Sequence, residues 1–278
     1  MKKWIASALL YLAIVIAGYF IYDSLFVDDQ SVTVHDEEKH SATTTSKQTH
    51  NISEDAHGQH TTEKAENEID VGLAENDQKL IITMKDKSGN PVTDLEVNHE
   101  KLVHLIVVDE HLERYEHLHP KEIAPGTFDV SHQLSDGTYR AFVDIKSASL
   151  KYNVTPISFT IGNESKQDHE HVSLQADKQL VQTVDGQKVT LTTTDLVINQ
   201  PVTLSFNVHE ATLEPYLGAM GHVVILDEKA EQYLHVHPLR ENETVFETEF
   251  SQPGIYKIWA EFQQNGKVTV YPFLIEVK

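Results

Sequence analysis

The chain has no cysteine and few basic residues. Its 278 residues include 22 Lys and Arg against 43 Asp and Glu, for a formal net charge of −21. Without cysteine, disulfides, thiolate zinc sites and thiol catalysis are excluded. The negative charge argues against nucleic-acid binding, because phosphate recognition needs a cationic surface. Against this background the 17 histidines are a heavy load, since histidine is the commonest metal-ligating side chain.

Long apolar runs are also absent, except at the N-terminus. Lys2 and Lys3 precede an uncharged stretch of 19 residues, 4–22, which as a helix would span about 28 Å, close to the thickness of a membrane's hydrocarbon core. The lysines predict that this end stays in the cytoplasm. A cleaved signal peptide is the alternative, but no convincing small-x-small site follows the run. We expect residues 1–26 to form a single-pass signal anchor in the cell membrane, with the C-terminal domains outside the cytoplasm.

Residues 27–70 are polar and contain almost no large apolar side chains. Such a segment cannot bury enough surface to offset the cost of ordering its backbone, so we expect a disordered tether rich in histidine and acidic residues. Its histidines either collect metal weakly or belong to a plain solubilising spacer. They are His35, His40, His50, His57 and His60.

The rest of the chain is an internal repeat. The stretches "HLIVVDEHLERYEHLHP" and "HVVILDEKAEQYLHVHP" begin at His104 and His222, so an offset of 118 residues superimposes three histidines and a proline. Further along, "DGTYRAFVDI" aligns with "PGIYKIWAEF" after a one-residue slip. Self-similarity of this kind indicates a duplicated structural unit. We expect domains at residues 71–163 and 172–278, joined by a linker at 164–171.

Short stretches rich in Val, Ile, Thr and Tyr alternate with turn signals in both repeats. In the first repeat they predict strands at residues 80–85, 101–108, 114–119, 126–132, 137–145 and 156–161. Short strands at this spacing, with no helix-length segment, are typical of immunoglobulin-like β-sandwiches. The predicted fold is therefore all-β, with two tandem sandwich domains after the transmembrane helix and the tether.

The histidines are expected to converge within each hairpin. If Val108 lies opposite Tyr115, then Ile106 faces His117 and His104 faces His119, because side chains alternate along a strand. Three imidazoles on one side of a hairpin suit copper or zinc when no thiolate is available. In the second repeat a methionine precedes the first histidine and adds a ligand favoured by copper(I). The predicted metal ligands are His104, His117, His119, Met220, His222, His235 and His237.

Other interpretations of the histidines stay open. His-x-His-Pro also ends a strand without any metal, since proline interrupts the ladder, and clustered histidines can act as a pH sensor. A zinc enzyme with three histidine ligands is the least favoured, because no general base, nucleophile elbow or phosphate loop accompanies them. Asp144 and Glu261 correspond across the repeats and are expected to be carboxylates on the sheet surface, with direct metal ligation or support of a ligand histidine as the alternative. Ordinary core or surface positions are expected for His99, His111, His132 and His209.

The motifs "HLIVV…HLHP…GTYRAF" and "MGHVVIL…YLHVHP…PGIYKIWAEF" resemble the YtkA-like (FixH-related) family of bacterial secreted and membrane-anchored proteins. They are more distantly similar to extracytoplasmic copper-carrier β-sandwiches. The resemblance implies metal handling outside the membrane and raises the expectation of copper, without assigning a role to any single residue.

The favoured hypothesis is a non-enzymatic, membrane-anchored protein that binds copper, or alternatively zinc, and buffers, delivers or senses the ion. Its expected partners are the membrane, through the N-terminal helix, and a copper-dependent membrane protein. The alternative is a non-metal interaction module that binds a membrane or cell-wall partner.

Overall fold

The computed structural model describes residues 66–162, 173–236 and 238–278. All regular structure in these ranges is β-strand, which confirms the predicted all-β class. None of the described residues forms a helix with the length and hydropathy that a membrane crossing requires. The predicted anchor at 1–26, residues 27–65 of the predicted tether and the linker at 164–171 lie outside the described residues. The last residues assigned to the tether are ordered, because a strand begins at Ile69, which is buried.

The first repeat contains two antiparallel sheets. One sheet has the strand order β1-β2-β7-β6, and the other has the order β3-β8-β4-β5 with β9 also paired to β8. The predicted strands correspond to six of these, while β1, β3 and β6 were not predicted. The bounds are β1 (Ile69–Asn76), β2 (Lys79–Asp86), β3 (Leu95–Glu96), β4 (Val103–Asp109), β5 (Tyr115–Leu118), β6 (Lys121–Ala124), β7 (Thr127–Ser131), β8 (Gly137–Ser147) and β9 (Ile157–Ile161).

The second repeat also forms two four-stranded antiparallel sheets. Their strand orders are β10-β11-β12-β15 and β14-β13-β16-β17. The sheet that contains β13 and β16 corresponds to the sheet that contains β4 and β8. The bounds are β10 (Val181–Val184), β11 (Gln187–Thr193), β12 (Pro201–Val208), β13 (His222–Asp227), β14 (Tyr233–Val236), β15 (Val245–Glu249), β16 (Gly254–Gln264) and β17 (Lys267–Val277).

The two sheets of each repeat share one hydrophobic core, which makes each repeat a β-sandwich. In β2, every second side chain is buried, and Leu80, Ile82 and Met84 face the core. This period of two is what a strand with one solvated face requires. Leu80 and Ile82 pack in the same core as Leu105 and Val107, which come from β4 in the opposite sheet. The second repeat has an equivalent core of its own.

Strands β4 and β13 are buried on both faces, because the outer face of each packs against the other repeat. In β4, Leu105 and Val107 face the core of the first repeat, whereas Ile106 and Val108 face the other way. The outward side chains of β4 and β13 meet in a third cluster, which we call the inter-repeat core. It consists of Ile106, Val108, Leu112 and Phe142 from the first repeat and Val224, Leu226, Ala230, Tyr233 and Trp259 from the second.

Aromatic stacking across the inter-repeat core is reciprocal. Tyr115 stacks on Trp259, with ring centroids 4.8 Å apart and planes at 14°. Tyr233, the counterpart of Tyr115, stacks on Phe142 with values of 5.2 Å and 13°. Phe142 and Trp259 are themselves counterparts in the aligned "GTYRAF" and "GIYKIW" segments. The two repeats are therefore related by an approximate two-fold operation, and each contributes the same elements to the contact.

Gly221 and Phe262 fill the space that Val103 and Ile145 fill in the first repeat. Val103 pairs with Ile145 across β4 and β8. At the equivalent position of the second repeat, a Cβ on Gly221 would lie 2.5 Å from a ring carbon of Phe262. The absence of a side chain at Gly221 thus makes room for the ring of Phe262.

We expect Gly221→Val to reduce the free energy of unfolding by about 1–3 kcal/mol, because the added side chain overpacks the site. The double variant Gly221→Val with Phe262→Ile recreates the pair of the first repeat, and should regain at least half of the loss. Urea denaturation of both variants measures this. A double variant less stable than Gly221→Val alone would contradict the exchange of volume.

Candidate metal centre

One tight turn precedes His104 in the first repeat, and a corresponding turn precedes His222 in the second. Asn98 and Lys101 form an isolated bridge around His99 and Glu100, whose φ values are +47° and +63°. The carbonyl oxygen of Asn98 accepts a hydrogen bond from His104 Nε2 at 2.9 Å. A carbonyl can only accept, so Nε2 of His104 carries the proton and its Nδ1 carries the lone pair.

The second repeat has the same arrangement. Tyr216 and Ala219 form the corresponding bridge, and the Tyr216 carbonyl accepts from His222 Nε2 at 2.9 Å. The turn residues differ, because Leu217 stands where the first repeat has His99. His104 and His222 are both buried, with 1% and 0% of their surfaces exposed.

The hairpin register agrees with the prediction where the ladder covers it. Val108 pairs with Tyr115, and Ile106 pairs with His117. The rings of His104 and His119, which were expected to face each other, have centroids 5.2 Å apart. In the second hairpin, Val224 pairs with His235, while His237 lies outside the described residues.

His117 and His235, the second histidine of each hairpin motif, each donate to a carboxylate of the opposite repeat. His117 Nδ1 lies 2.9 Å from Glu261 Oε2, and the Tyr115 hydroxyl donates to Glu261 Oε1 at 2.8 Å. Reciprocally, His235 Nδ1 lies 2.8 Å from Asp144 Oδ2, and the Tyr233 hydroxyl donates to the same oxygen at 3.1 Å. The expectation that Asp144 and Glu261 are surface carboxylates was wrong, because repeat docking covers that face of the sheet.

These hydrogen bonds bring two lone pairs together. His117 donates through Nδ1 to Glu261, so in the neutral ring Nε2 is the acceptor atom. That atom lies 2.9 Å from Nδ1 of His104, which is also an acceptor. Two lone pairs at this distance repel unless a proton or a metal ion lies between them. One nitrogen of His235 joins them, and the ligand atoms of His104, His117 and His235 all lie within 4.8 Å of one another.

Burial keeps most of the imidazoles neutral. Burial, together with smaller contributions from the neighbouring imidazoles, lowers the pKa of His104 and of His222 to about 4, and that of His119 to about 3. Burial likewise holds the pKa of His235 well below its usual value. Burial raises the pKa of Glu261, but its electrostatic interaction with His117 and the hydrogen bonds from His117 and Tyr115 outweigh burial and lower that pKa below its usual value. Neutral imidazoles hydrogen-bonded to carboxylates are the form in which histidine binds metals.

The histidines form one cluster between the repeats, which we call the imidazole cluster. The sequence predicts a separate site in each hairpin, but docking of the two sheets brings the histidines of both hairpins together. Ring-centroid distances within the cluster range from 4.7 Å between His117 and His119 to 6.4 Å between His99 and His104. Its described members are His99, His104, His117, His119, His222 and His235.

His99 was expected to be an ordinary residue, and the structure corrects this. Its ring centroid lies 5.6 Å from that of His222 and 6.2 Å from that of His235. By contrast, His209 lies outside the cluster and hydrogen-bonds the Thr190 hydroxyl at 2.8 Å. Met220 lies just before β13, where its backbone N–H donates to the Glu241 carbonyl, and its role as a ligand stays a prediction.

Two sequence signals could have indicated the docking. "LIVV" in β4 and "VVIL" in β13 are unbroken apolar runs, whereas a strand with one solvated face alternates. The correspondence of Asp144 with Glu261 was visible too, but not that each carboxylate would serve the other repeat. Nothing in the sequence pattern distinguished His99, because its place in the cluster depends on the turn and on the docked partner.

The comparisons with known proteins concern the family and not the chemistry of the cluster. No curated protein matches. Solved structures that match include the chicken CNTN1 FN1–FN3 domains, at 12% identity and a TM-score of 0.23, covering 75% of this chain and 66% of that one. A two-domain fibronectin type-III segment of chicken tenascin matches at 9% identity and a TM-score of 0.24, covering 77% of this chain and 99% of that one. The Escherichia coli adhesin FdeC matches at 14% identity and a TM-score of 0.24, covering 77% of this chain and 65% of that one. These values are too low to support a conclusion about fold or function.

A family model is matched by two segments of the chain, residues 60–163 and 182–278. The segments correspond to the two repeats and together cover more than half of the sequence. The chain therefore belongs to the family described as "Domain of unknown function (DUF8832)", and both of its β-sandwich repeats match the family model.

Proposed function

We propose that the protein is a membrane-anchored, extracytoplasmic copper-binding protein that buffers, delivers or senses the ion. Its ligands come from both of the immunoglobulin-like repeats, with His104 and His117 from the first and His235 from the second. The observation that carries the proposal is the 2.9 Å approach of His104 Nδ1 to His117 Nε2, two atoms that the surrounding hydrogen bonds leave as acceptors.

The alternative to a metal ion is a proton shared by the same two nitrogens. A proton would place a positive charge on a pair whose side chains are almost fully buried, since only 3% of the His117 side chain is exposed. Glu261 would balance one such charge. The shared proton does not account for the third imidazole, because burial and the neighbouring rings disfavour a positive charge on His235. A divalent ion with several nitrogen ligands uses all three.

The donor set favours copper over the other ions. The cluster offers imidazole nitrogen, and the chain has no thiolate. Copper(II) binds such ligands more tightly than the other divalent ions of the first transition row do. If an ion lay about 2.0 Å from both nitrogens, their separation would give an N–metal–N angle of about 90°, as in a tetragonal copper(II) site. The tetrahedral angle that zinc prefers would require the two nitrogens to be about 3.3 Å apart. Zinc is the second candidate.

The proposed setting is the outer side of the cell membrane. It rests on the apolar N-terminal run behind Lys2 and Lys3 and on the resemblance to the YtkA-like (FixH-related) family. The acidic, histidine-rich tether would gather cations near the surface, and a copper-dependent membrane protein is the proposed partner. The non-metal interaction module remains the competing hypothesis, and it assigns the cluster a structural role.

The test is a titration of the full chain with copper(I), copper(II) and zinc in the presence of competing chelators. The chelators suppress weak binding by the tether. We expect chelator-resistant copper in the wild type and its loss in the double variant His117→Ala with His235→Ala. The control is His209→Gln, which changes a histidine outside the cluster and should bind as the wild type does. Wild-type binding no tighter than that of a histidine-rich peptide would exclude the metal function and leave the interaction module.

A further inference from the structure

We propose that the imidazole cluster binds a second copper ion, held by His99, His222 and His235, beside an ion held by the first hairpin. The inference rests on the proposed function and goes beyond it, because one ion explains only three of the described rings. It makes the cluster a two-ion site whose halves come mainly from different repeats.

The cluster contains two sets of three neighbouring rings, and His235 of the second set also lies 5.2 Å from His104 of the first. His104, His117 and His119 have centroids 4.7–5.2 Å apart, and His99, His222 and His235 have centroids 5.6–6.2 Å apart. An imidazole bound through nitrogen at about 2.0 Å places its centroid about 3.2 Å from the ion, so rings that share an ion are separated by roughly 4.5–6.4 Å. Both sets fall within this range.

The approximate two-fold relation supplies the second position. His222 corresponds to His104, and its Nε2 is held by the Tyr216 carbonyl as that of His104 is held by Asn98. The remaining nitrogen, Nδ1, is therefore the acceptor atom in both rings. The two-fold relation also exchanges His117 and His235. The ring of His235 lies 6.0 Å from that of His222, compared with 5.2 Å between His117 and His104, so the second pair offers a wider counterpart of the first position.

His99 makes the second set different from a mere copy of the first. It adopts a φ of +47°, in the left-handed region that histidine enters more readily than most residues other than glycine. The second repeat has Leu217 at this point of the turn, with a φ of +51°. His99 is half-buried and brings its ring within 5.6 Å of His222, so it adds a third ligand to the His222 and His235 pair.

His119 can replace His235 as the third ligand of the first ion. Its Nε2 is buried and has no hydrogen-bond partner among the described residues. The ring lies 4.7 Å from that of His117 and 5.2 Å from that of His104. With one ion in the cluster, His235 is the third ligand beside His104 and His117. With two ions, His119 is the third ligand of the first ion, and His235 binds the second ion together with His222 and His99.

The test counts copper(II) ions in the full chain after equilibration with a competing chelator. We expect two chelator-resistant ions in the wild type and one in His99→Leu. The leucine copies Leu217, which occupies the same backbone conformation in the second repeat, so the turn should fold normally. His222→Gln should also bind one ion. In both variants the affinity of the remaining ion should change by less than about threefold, and His209→Gln should keep both ions. Electron paramagnetic resonance provides a second readout, because two neighbouring copper(II) ions broaden or cancel each other's signals.

The outcomes separate this inference from the proposed function. One resistant ion in the wild type, unaffected by His99→Leu, would overturn the second position and leave the copper-binding proposal standing. Two ions in both the wild type and His99→Leu would overturn the assignment of His99. No resistant ion in any protein would overturn both proposals.

Discussion

Replacing Trp259 by alanine should reduce the free energy of unfolding by about 3–5 kcal/mol. The side chain is only 2% exposed, belongs to the inter-repeat core and stacks on Tyr115 of the other repeat. Its loss leaves a cavity between two sandwiches that each have a complete core of their own. We therefore expect urea denaturation of Trp259→Ala to separate into two transitions, because the repeats lose the contact that makes them unfold together.

The matched control is Trp259→Phe, which installs the residue that the first repeat has at the equivalent position, Phe142. The Tyr233–Phe142 stack shows that phenylalanine is accommodated there, so this variant should cost less than half as much as alanine. A loss below about 1 kcal/mol for Trp259→Ala would mean that the inter-repeat core contributes little to docking.

Glu261→Gln should weaken copper binding by about 10–100-fold, although the substituted residue is on the opposite repeat from the ligand it affects. Glu261 fixes His117 through a 2.9 Å hydrogen bond, and partners of this kind orient the ring and increase its basicity. The amide keeps the size of the side chain but loses the charge. Chelator competition at a fixed pH measures the affinity.

The reciprocal variant Asp144→Asn should act in the same way through His235, to which Asp144 Oδ2 lies at 2.8 Å. The exposed Glu276 of β17 provides the control, since Glu276→Gln removes the same charge far from any imidazole contact. Equal losses of affinity in Glu276→Gln and Glu261→Gln would attribute the effect to net charge and contradict a positioning role for Glu261.

The repeats, the strands that pair locally and the hairpin register were predictable because they depend on short-range patterns. Ile106 opposite His117 follows from the period of two and the length of the loop between β4 and β5. The turn that ends at Lys101 was harder to predict, because its two left-handed residues are histidine and glutamate rather than the glycine or asparagine that usually mark such turns.

The assembly of the candidate site was not predictable from these patterns. His117 meets Glu261 across 144 positions of sequence, and no periodicity connects two residues in different domains. The sequence placed three histidines in each hairpin, but whether two hairpins face each other depends on which sheet faces are covered. The unbroken apolar runs in β4 and β13 indicate strands that are buried on both faces, but they do not identify the surface that covers the outer face.

The exchange of contacts between the repeats has an evolutionary consequence. His117 with Glu261 and His235 with Asp144 form the isologous pattern of a symmetric homodimer, which indicates that a single-repeat ancestor paired with a second copy of itself before its gene was duplicated and fused. In such a dimer every substitution would appear twice. Fusion removed that constraint, so one half could acquire His99 and Phe142 while the other retained or acquired Leu217 and Trp259, and a symmetric interface became free to specialise.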